Sequence, residues 1–301
     1  MTHRKVLIGL PVYNGQKFLK LALDSHLSQS FGDFSLVISD NGSTDATQQI
    51  CLDYARRDAR VKYLRSDENR GIHWNHRRVF DAIESPDQYF RWAAADDIME
   101  PGLLQEMVTV LDSRAEVSAV APDTKNIDEA GELIGSMARA LDLQSHDVLE
   151  RARLVLTGHY QMVIAFGLFR ASLLQSMRTR ASYIGWDFIF IWELALRGQI
   201  VQTSGPVLLR RWHAGEMHHV KTAKEMKKWV EPNSKAGMVF PHWNWAYERL
   251  RTLLAAPLSM HDRWRVGLFL ARATVWDRHN LLRDVTWAGR RGLGLSDKYT
   301  F

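Results

Sequence analysis

Cysteine and long apolar runs are scarce in this chain of 301 residues. Cys51 is its single cysteine, which excludes an internal disulfide and suits a reducing cytoplasm. Because Cys51 lies within a helical pattern, we expect a small buried core residue there. No uncharged run approaches the roughly 20 residues that span a bilayer, and the first residues show no signal peptide. These features predict a cytoplasmic protein.

Two common nucleotide-binding motifs are also missing. No Gly-x-Gly-x-x-Gly follows the first predicted strand, and there is no P-loop, so a dinucleotide oxidoreductase or an NTPase is not expected. The chain has no sequence repeat. Its apolar share of 46% and charged share of 24% are ordinary for a soluble globular protein.

The net charge of +5 is unevenly distributed. From Val220 onward there are fifteen Lys and Arg against seven Asp and Glu, together with six of the eleven tryptophans. We therefore expect one domain over residues 1–219 and a basic, Trp-rich helical region over residues 220–301.

Strand and helix patterns alternate over the first 121 residues. Apolar runs predict strands at residues 5–10, 34–39, 61–65, 89–95 and 117–121. Amphipathic patterns predict helices between them, the last opening at Pro101. This alternation predicts an α/β fold with a mostly parallel central sheet and helices on both faces.

The later pattern is looser. It predicts a hairpin at 126–132, a helix at 146–156, a strand at 162–169, a helix at 185–198 and a strand at 200–210. Two further helical stretches follow His242. The second runs from Met260 to about Asp284, and Ser259 with Asp262 predicts its capping box.

Two adjacent carboxylates, Asp96 and Asp97, end the aromatic run at 89–95. Strand ends of open α/β sheets lie where such folds bind ligands. Neighbouring acids repel each other, and a divalent cation bridging to phosphate oxygens relieves that repulsion. The alternative is that both acids cap the helix starting near Pro101.

Loops after the first three strands carry groups suited to a nucleotide. Tyr13 can stack on a base, Asp40 can accept hydrogen bonds from a base or ribose, and Arg70 can face a phosphate at a helix N-terminus. Taken singly, each residue also has an ordinary structural explanation in packing or in a turn.

Together these segments resemble family 2 glycosyltransferases, which have the GT-A fold. The resemblance lies in LPVYNG at 10–15, SDNGSTD at 39–45, ENRGI at 68–72, and ADD at 95–97 followed by Pro101. It covers about the first 120 residues and continues more thinly to His213. It implies a catalytic domain over 1–219, with a nucleotide-binding half at 1–120 and an acceptor half at 121–219.

The resemblance also assigns residues. It implies a nucleotide-sugar site formed by Pro11, Tyr13, Asn14, Asp40, Asp45, Arg70, Gly71 and Asp96. Asp97 would ligate Mn²⁺ or Mg²⁺, although Ala95 replaces the first acid of the family's Asp-X-Asp motif. His213 matches a histidine that completes the metal site or touches diphosphate in some relatives. A structural histidine is the alternative.

The family places an acid at the start of a late helix, and Asp187 matches it. The usual Glu-Asp pair is Trp186-Asp187 here. The resemblance implies that this carboxylate takes the acceptor hydroxyl's proton in a single displacement with inversion. The alternative is an N-cap of its own helix.

The resulting hypothesis is a metal-dependent inverting glycosyltransferase that uses a UDP- or dTDP-sugar and a glycan or glycolipid acceptor. A nucleotidyltransferase and a non-catalytic nucleotide-sugar or nucleic-acid binding protein are the alternatives; turnover separates them. No nucleic-acid partner is expected. The basic tail either lies on an anionic membrane surface or packs on the domain or a second copy.

Overall fold

The computed structural model describes residues 3–136, 143–158, 162–178, 185–213 and 240–292. The predicted boundary near residue 219 lies outside them. The strands are β1 Val6–Val12, β2 Phe34–Asp40, β3 Val61–Arg65, β4 Tyr89–Trp92, β5 Ile98–Met99, β6 Val117–Ile127, β7 Leu133–Ser136, β8 Leu168–Arg170 and β9 Gln199–Arg211. The α-helices are α1 Leu19–Leu27, α2 Thr47–Arg57, α3 Ile72–Phe80, α4 Leu103–Ser113, α5 Val148–Thr157, α6 Ala171–Ser176, α7 Trp186–Arg197, α8 Pro241–Ala255, α9 Met260–Trp276 and α10 Arg278–Gly292.

The first half of the sheet is parallel and has the order β3-β2-β1-β4. The chain moves outward from β1 to β3 and then crosses to the other side of β1 to form β4. The strand order therefore reverses between β1 and β4. Open α/β sheets bind ligands at such a switch point, outside the carboxyl ends of the strands.

The second half of the sheet is mixed. β8 joins β4 and β6 in antiparallel pairs, whereas β6 and β9 run parallel. β5 pairs with the far end of β9, which brings the segment after Asp97 beside Arg211. One continuous sheet therefore carries both predicted halves.

Helices cover both faces, as predicted. One buried cluster joins the sheet to α1, α2 and α4 and includes Cys51, the expected core cysteine. The other joins the opposite face to α3, α5 and α7, and includes Leu253 of α8 with Val266 and Leu270 of α9. Alternate residues of β1 belong to the two clusters, because successive side chains of a strand point to opposite faces.

Several predicted elements need correction. The strand expected at 162–169 is a 3₁₀ helix, Met162–Phe166, followed by the short β8. The helix expected from Met260 to Asp284 ends at Trp276, and α10 begins at Arg278. Helix α4 begins at Leu103 rather than Pro101, because Gly102 before it is left-handed with φ +91°. Strands β5 and β7 are too short to show an apolar pattern.

The C-terminal helices pack against the sheet domain. Ser259 is the N-cap of α9, as predicted: the Asp262 amide donates to Ser259 Oγ at 3.0 Å, and Asp262 Oδ2 accepts the Ser259 hydroxyl at 2.8 Å. The Trp192 indole donates to the Arg249 carbonyl at 3.2 Å, which fixes α8 on α7. Within the described ranges, no helix is both long and apolar enough to cross a membrane.

Candidate functional site

The carboxyl ends of the first strands meet at one edge of the sheet. Val12, the last residue of β1, pairs with Asp40 of β2, and Asp40 pairs with Arg65 of β3. β4 continues at the same edge, since the Ala93 amide donates to the Gly9 carbonyl at 2.9 Å. The loops that follow these strands therefore share one rim, as the sequence predicted.

Hydrogen bonds join the first two loops. Asn14 adopts a left-handed conformation with φ 51°. Its amide donates to Ser43 Oγ at 2.9 Å, and its Oδ1 accepts the Thr44 amide at 2.9 Å. Gly15 donates to Thr47 Oγ1 at 2.8 Å. Asn14 therefore positions the β2 loop with both its backbone and its side chain.

Asn41 performs the same task between the second and third loops. Its Nδ2 donates to Asn69 Oδ1 at 2.9 Å and to the Gly71 carbonyl at 3.1 Å. Its Oδ1 accepts the Arg70 amide at 3.0 Å. The side chain is buried, so these bonds form where competing water is excluded.

Asp40 is fully buried at the centre of this rim. Its Oδ1 accepts the Ser43 amide at 2.8 Å. Its Oδ2 accepts the Tyr63 hydroxyl at 2.7 Å and lies 3.3 Å from Arg65 Nη1. Burial, with the Asp40 hydrogen bond and charge, raises the pKa of Tyr63, which keeps that phenol protonated.

Asp45 lies just before the start of α2. Its Oδ1 accepts the Thr47 amide at 3.0 Å, and its Oδ2 accepts the Gln16 amide at 3.1 Å. Partial burial raises the pKa of Asp45, but the hydrogen bonds from Thr47 and Gln16 outweigh it, and the pKa is lowered. Asp45 is therefore an ionised link between the β1 and β2 loops.

Four other predicted residues lie around the rim. The Tyr13 ring is 47% exposed rather than packed in the core. Half-buried Pro11 precedes it, in register with Ser39 of β2. The exposed Arg70 side chain stacks on Trp74 with a centroid distance of 5.0 Å. Gly71 follows it with φ 90° and begins α3.

The acid pair lies in the segment between β4 and β5. Asp96 Oδ2 is 2.9 Å from His213 Nε2, so the predicted histidine contacts this acid. Asp97 is almost fully buried, and its Oδ1 accepts the Arg211 amide at 2.9 Å. The pair therefore lies against the end of β9, and neither hydrogen bond is to the N-terminus of α4.

Arg211 holds this loop from behind. Its Nε donates to the Asp96 carbonyl at 3.1 Å, and its Nη1 donates to the carbonyls of Asp128 and Glu129 at 2.8 and 3.1 Å. Its guanidinium also lies 4.7 Å from the centroid of the Phe18 ring. One buried side chain thus joins the acid loop, the β6–β7 turn and the start of α1.

Phe18 connects the acid loop to the β1 loop. Its ring lies 5.1 Å from the His213 ring, centroid to centroid. Gly15, three residues earlier, packs close to Ala95: a Cβ on Gly15 would lie 3.7 Å from the Ala95 Cβ. The four loops therefore form one continuous rim.

A buried guanidinium lies beneath the acid pair. Burial lowers the pKa of Arg91 to about 10, opposed by the nearby Asp97 carboxylate, so it remains charged near pH 7. Its Nη2 donates to the Phe166 carbonyl at 3.3 Å. Burial, with the Arg91 charge, lowers the pKa of His26 to about 3. Arg91 therefore places a buried positive charge close to the Asp97 carboxylate.

Asp187 lies in the first turn of α7, after Gly185 with φ 75°. Trp186 packs against Trp92 with ring centroids 6.1 Å apart, which brings the start of α7 to the end of β4. Asp187 Oδ1 accepts the Phe188 amide at 3.1 Å. Burial raises the pKa of Asp187, and that hydrogen bond only partly opposes the shift.

The donor set at the rim fits a cation that is only partly held by protein. Asp96, Asp97 and His213 offer oxygen and imidazole ligands suited to Mn²⁺ or Mg²⁺. No group of three or more His, Cys, Asp or Glu side chains forms a metal cage in the parts of the chain that the structure describes. A cation here would take its remaining ligands from diphosphate and water.

Sequence reasoning missed the residues that hold the loops together. Arg211 was visible in the RRWH segment at 210–213, yet only His213 was assigned a role. Asn75 is a buried amide on α3 that donates to the carbonyls of Val12 and Ser39 at 3.2 and 2.9 Å. Asn75 could have been noticed in the sequence as an amide side chain at a position of α3 that faces the sheet.

Comparison with known proteins places the chain in a family. The model of glycosyl transferase family 2 matches residues 7–172, and the chain belongs to this family of sugar-transferring enzymes. A glycosyltransferase, GlyA, from Streptococcus pneumoniae is 35% identical over 68 residues, covering 23% of this chain and 10% of the relative. Chondroitin synthase from Escherichia coli is 28% identical over 131 residues, covering 44% of this chain and 19% of the relative. The chain thus matches a small part of these longer relatives.

Solved structures show the same fold. Staphylococcus aureus TarS 1-349 in complex with UDP-GlcNAc aligns with a TM-score of 0.64 at 16% identity, covering 95% of this chain and 81% of that one. The mannosyltransferase PcManGT from Pyrobaculum calidifontis, in complex with GDP-Man and Mn²⁺, aligns with a TM-score of 0.54 at 14% identity, covering 97% and 88%. The predicted GT-A fold class is confirmed.

Proposed function

We propose that this chain transfers a sugar from a nucleotide-sugar donor to a hydroxyl group of a glycan or glycolipid acceptor, with inversion. The observation that carries the proposal is the single rim at the switch point of the sheet. There, three cross-linked loops meet an acid pair, as a nucleotide diphosphate attached to a sugar requires.

The donor would extend along this rim. Exposed Tyr13 would stack on the base beside Pro11. Asp40 would act indirectly, because it orders the loop after β2 that would support the nucleoside. Asn14 and Asp45 would keep the first two loops in place. Arg70 and the α3 N-terminus at Gly71 would face the diphosphate, because a cation and a helix N-terminus both favour anions. Asp96 would lie near the ribose or the sugar.

We favour a uracil or thymine nucleotide. Exposed Tyr13, on the loop beside the one that Asp40 orders, suits stacking on a pyrimidine, and TarS has been captured with UDP and with UDP-GlcNAc. PcManGT has been captured with GDP-Man, so the fold also accommodates a purine. The donor base is therefore the first property to measure.

Asp97 and His213 would hold Mn²⁺ or Mg²⁺, which supplies positive charge to the departing diphosphate. Arg211 would keep both acids oriented, because it bonds the backbone of Asp96 and the carboxylate of Asp97.

Asp187 would act as the general base. The acceptor oxygen attacks C1 of the donor sugar, the bond from C1 to the phosphate oxygen breaks, and the electron pair leaves with the diphosphate. The acceptor's proton passes to the Asp187 carboxylate. A raised pKa suits this task, since a base works best when its pKa lies closer to the operating pH.

Thermal stability with nucleotides tests the donor site. We would measure the melting temperature with UDP, dTDP, GDP and CMP, each with and without Mn²⁺. A ligand that binds only the folded state stabilises it by about 2.7 kcal/mol at a hundredfold excess over Kd. We expect a shift with UDP or dTDP that is larger with Mn²⁺.

Asp97→Asn is the critical variant. Its side-chain oxygen still accepts the Arg211 amide, but the charge is lost, so the Mn²⁺-dependent part of the shift should disappear. The exposed Asp87→Asn serves as the control. No shift with any nucleotide would favour a non-catalytic scaffold, and an unchanged Mn²⁺ effect in Asp97→Asn would remove Asp97 from the metal site.

A further inference from the structure

Helix α9 has two apolar faces, and among the described residues only one of them is packed. Val266 and Leu270 are buried in the core. On the other side Trp264 is 71% exposed and Val275 is 60% exposed. Helices of soluble proteins normally turn charged or polar residues outward, so a second apolar face indicates a binding surface.

The exposed residues form one continuous stripe. They are Met260, Trp264, Leu268, Ala271 and Val275, all exposed. Their spacing of four, four, three and four residues keeps them within an arc of about 80° along about 22 Å of helix. We call these five residues the α9 stripe.

The neighbouring helix α8 has the same property. Its exposed residues Trp243, Tyr247, Leu250 and Leu254 also follow a spacing of four, three and four. The buried face of α8 contributes Leu253 to the core. The apolar character is therefore shared by consecutive helices and is not a single misplaced side chain.

The exposed charges of this region are all positive. Between residues 240 and 290, the exposed charged side chains are four arginines: Arg272, Arg278, Arg283 and Arg290.

The four acids of the same segment are less exposed: Asp277 accepts a hydrogen bond from Asn280 Nδ2, and the other three pair with a basic side chain. Asp284 is fully buried against His242, with 2.9 Å between Oδ1 and Nδ1. Asp262 pairs with Arg265 at 3.2 Å, and Glu248 pairs with Arg251 at 2.9 Å. The solvent-facing surface is therefore apolar and cationic together.

We propose that the α9 stripe lies in the surface of an anionic lipid bilayer. Trp264 would enter the interface between headgroups and acyl chains together with Leu268 and Val275. Arg272, which flanks the stripe on the same helix, would meet lipid phosphates with Arg278. Exposed tryptophan and leucine beside arginine are the composition of helices that lie in a membrane interface.

The positive charge of this face favours a lipid surface over a second copy of the chain as its partner. A two-fold symmetric contact through the α9 stripe would set one arginine-bearing face against an identical arginine-bearing face. Like charges opposed across an interface are unfavourable. An anionic bilayer instead compensates each arginine, so the lipid surface fits both the apolar and the charged part of the face.

Co-sedimentation of the full chain with vesicles tests the proposal. We would compare vesicles of phosphatidylcholine alone with vesicles containing about one third phosphatidylglycerol. We expect binding mainly to the anionic vesicles, weakened by salt because the electrostatic part is screened.

Paired variants separate the apolar and cationic parts. Trp264→Ser with Val275→Ser should lower the vesicle partition coefficient at least about tenfold. Arg272→Gln with Arg278→Gln should lower it about 25-fold on anionic vesicles. The matched controls are Leu133→Ser with Ile134→Ser, which are exposed apolar residues on β7, and Arg56→Gln with Arg77→Gln, which are exposed on α2 and α3.

Three results would overturn the proposal. One is a chain that stays in solution with anionic vesicles, and another is stripe variants that partition like their controls. The third is a dimer, seen by light scattering, that dissociates in Trp264→Ser with Val275→Ser. None of these readouts depends on sugar transfer.

Discussion

Asp187 shows how burial changes the chemistry of a single residue. Burial raises its pKa, so the folded protein holds the protonated form more tightly than the unfolded chain does. Stability contributed by such a group is present at low pH and is lost as pH rises from the unfolded to the folded pKa. At neutral pH the ionised carboxylate therefore costs stability, although ionisation is what a base requires.

We expect Asp187→Asn to lose transfer and gain stability. Removing a general base lowers kcat by about 10²- to 10⁴-fold. The neutral amide avoids burying a charge, so the melting temperature at pH 7 should rise. This gain should shrink as pH falls through the folded pKa of Asp187. Turnover assays and melting curves over a pH series measure both effects.

Asp53→Asn is the control, since Asp53 lies on the outer side of α2 with its carboxylate partly exposed. It should change neither quantity. Unaltered turnover in Asp187→Asn would eliminate Asp187 as the base. Loss of nucleotide binding as well as turnover would assign it to the donor pocket instead.

The loops at the rim act as one unit because they touch through backbone. Gly42 has φ +74°, and a Cβ there would lie 2.6 Å from the Glu68 carbonyl carbon. No side-chain rotation relieves a contact with backbone. The second and third loops can therefore approach each other only with glycine at this position.

Gly42→Ala should separate these two loops. A left-handed alanine costs about 1–2 kcal/mol, and the overpacking adds about 1–3 kcal/mol. Since Arg70 and Gly71 would shift with the third loop, nucleotide affinity should fall too. Urea denaturation and nucleotide titration measure the two losses.

Gly131→Ala measures the backbone strain of a left-handed alanine without a close contact of its Cβ. Gly131 has φ +93° in the β6–β7 turn, but nothing lies within 4 Å of a Cβ there. We expect only the cost of a left-handed alanine, about 1–2 kcal/mol. Equal losses for the two variants would mean that the close approach of Gly42 to Glu68 contributes nothing.

The whole molecule is connected through the C-terminal helices. Trp245 of α8 covers the start of α7, where a Cβ on Gly185 would lie 2.6 Å from the indole ring. Its ring centroid also lies 5.6 Å from that of Phe188. The turn that carries Asp187 is therefore supported from outside the sheet domain.

Trp245→Ala should weaken both stability and transfer. Removing a core tryptophan costs about 3–5 kcal/mol, and a half-buried one costs less, about 2–3 kcal/mol. Because the support of α7 is lost, kcat should fall although the donor rim is untouched. Circular dichroism and tryptophan fluorescence should report the same lowered transition, since α7 and α8 unfold together.

Trp276→Ala provides the comparison, because Trp276 is 63% exposed on α9. Substitutions at such positions usually stay within about 0.5 kcal/mol of the parent. Two separate transitions in the Trp245→Ala protein would indicate that the C-terminal helices fold independently of the sheet domain.

The sequence alone was enough to predict the parallel half of the sheet. β1 and β2 are mostly apolar runs bounded by turn residues, as a strand buried on both faces needs, whereas the short, partly exposed β3 mixes apolar and charged residues. It also identified the residues of the rim, because turn residues after each strand stand out in type. The fold class and family followed from four such segments in order.

Only the tertiary structure decided how the acid pair is held. β5 is two residues long, and its partner in β9 lies about 110 residues away, so no local pattern marks their pairing. The contacts of Arg211 with Asp96, Asp97 and the β6–β7 turn depend on that pairing. The tertiary structure also decided that the α9 stripe faces outward. The sequence shows an apolar helix, but which face is buried depends on what packs against it.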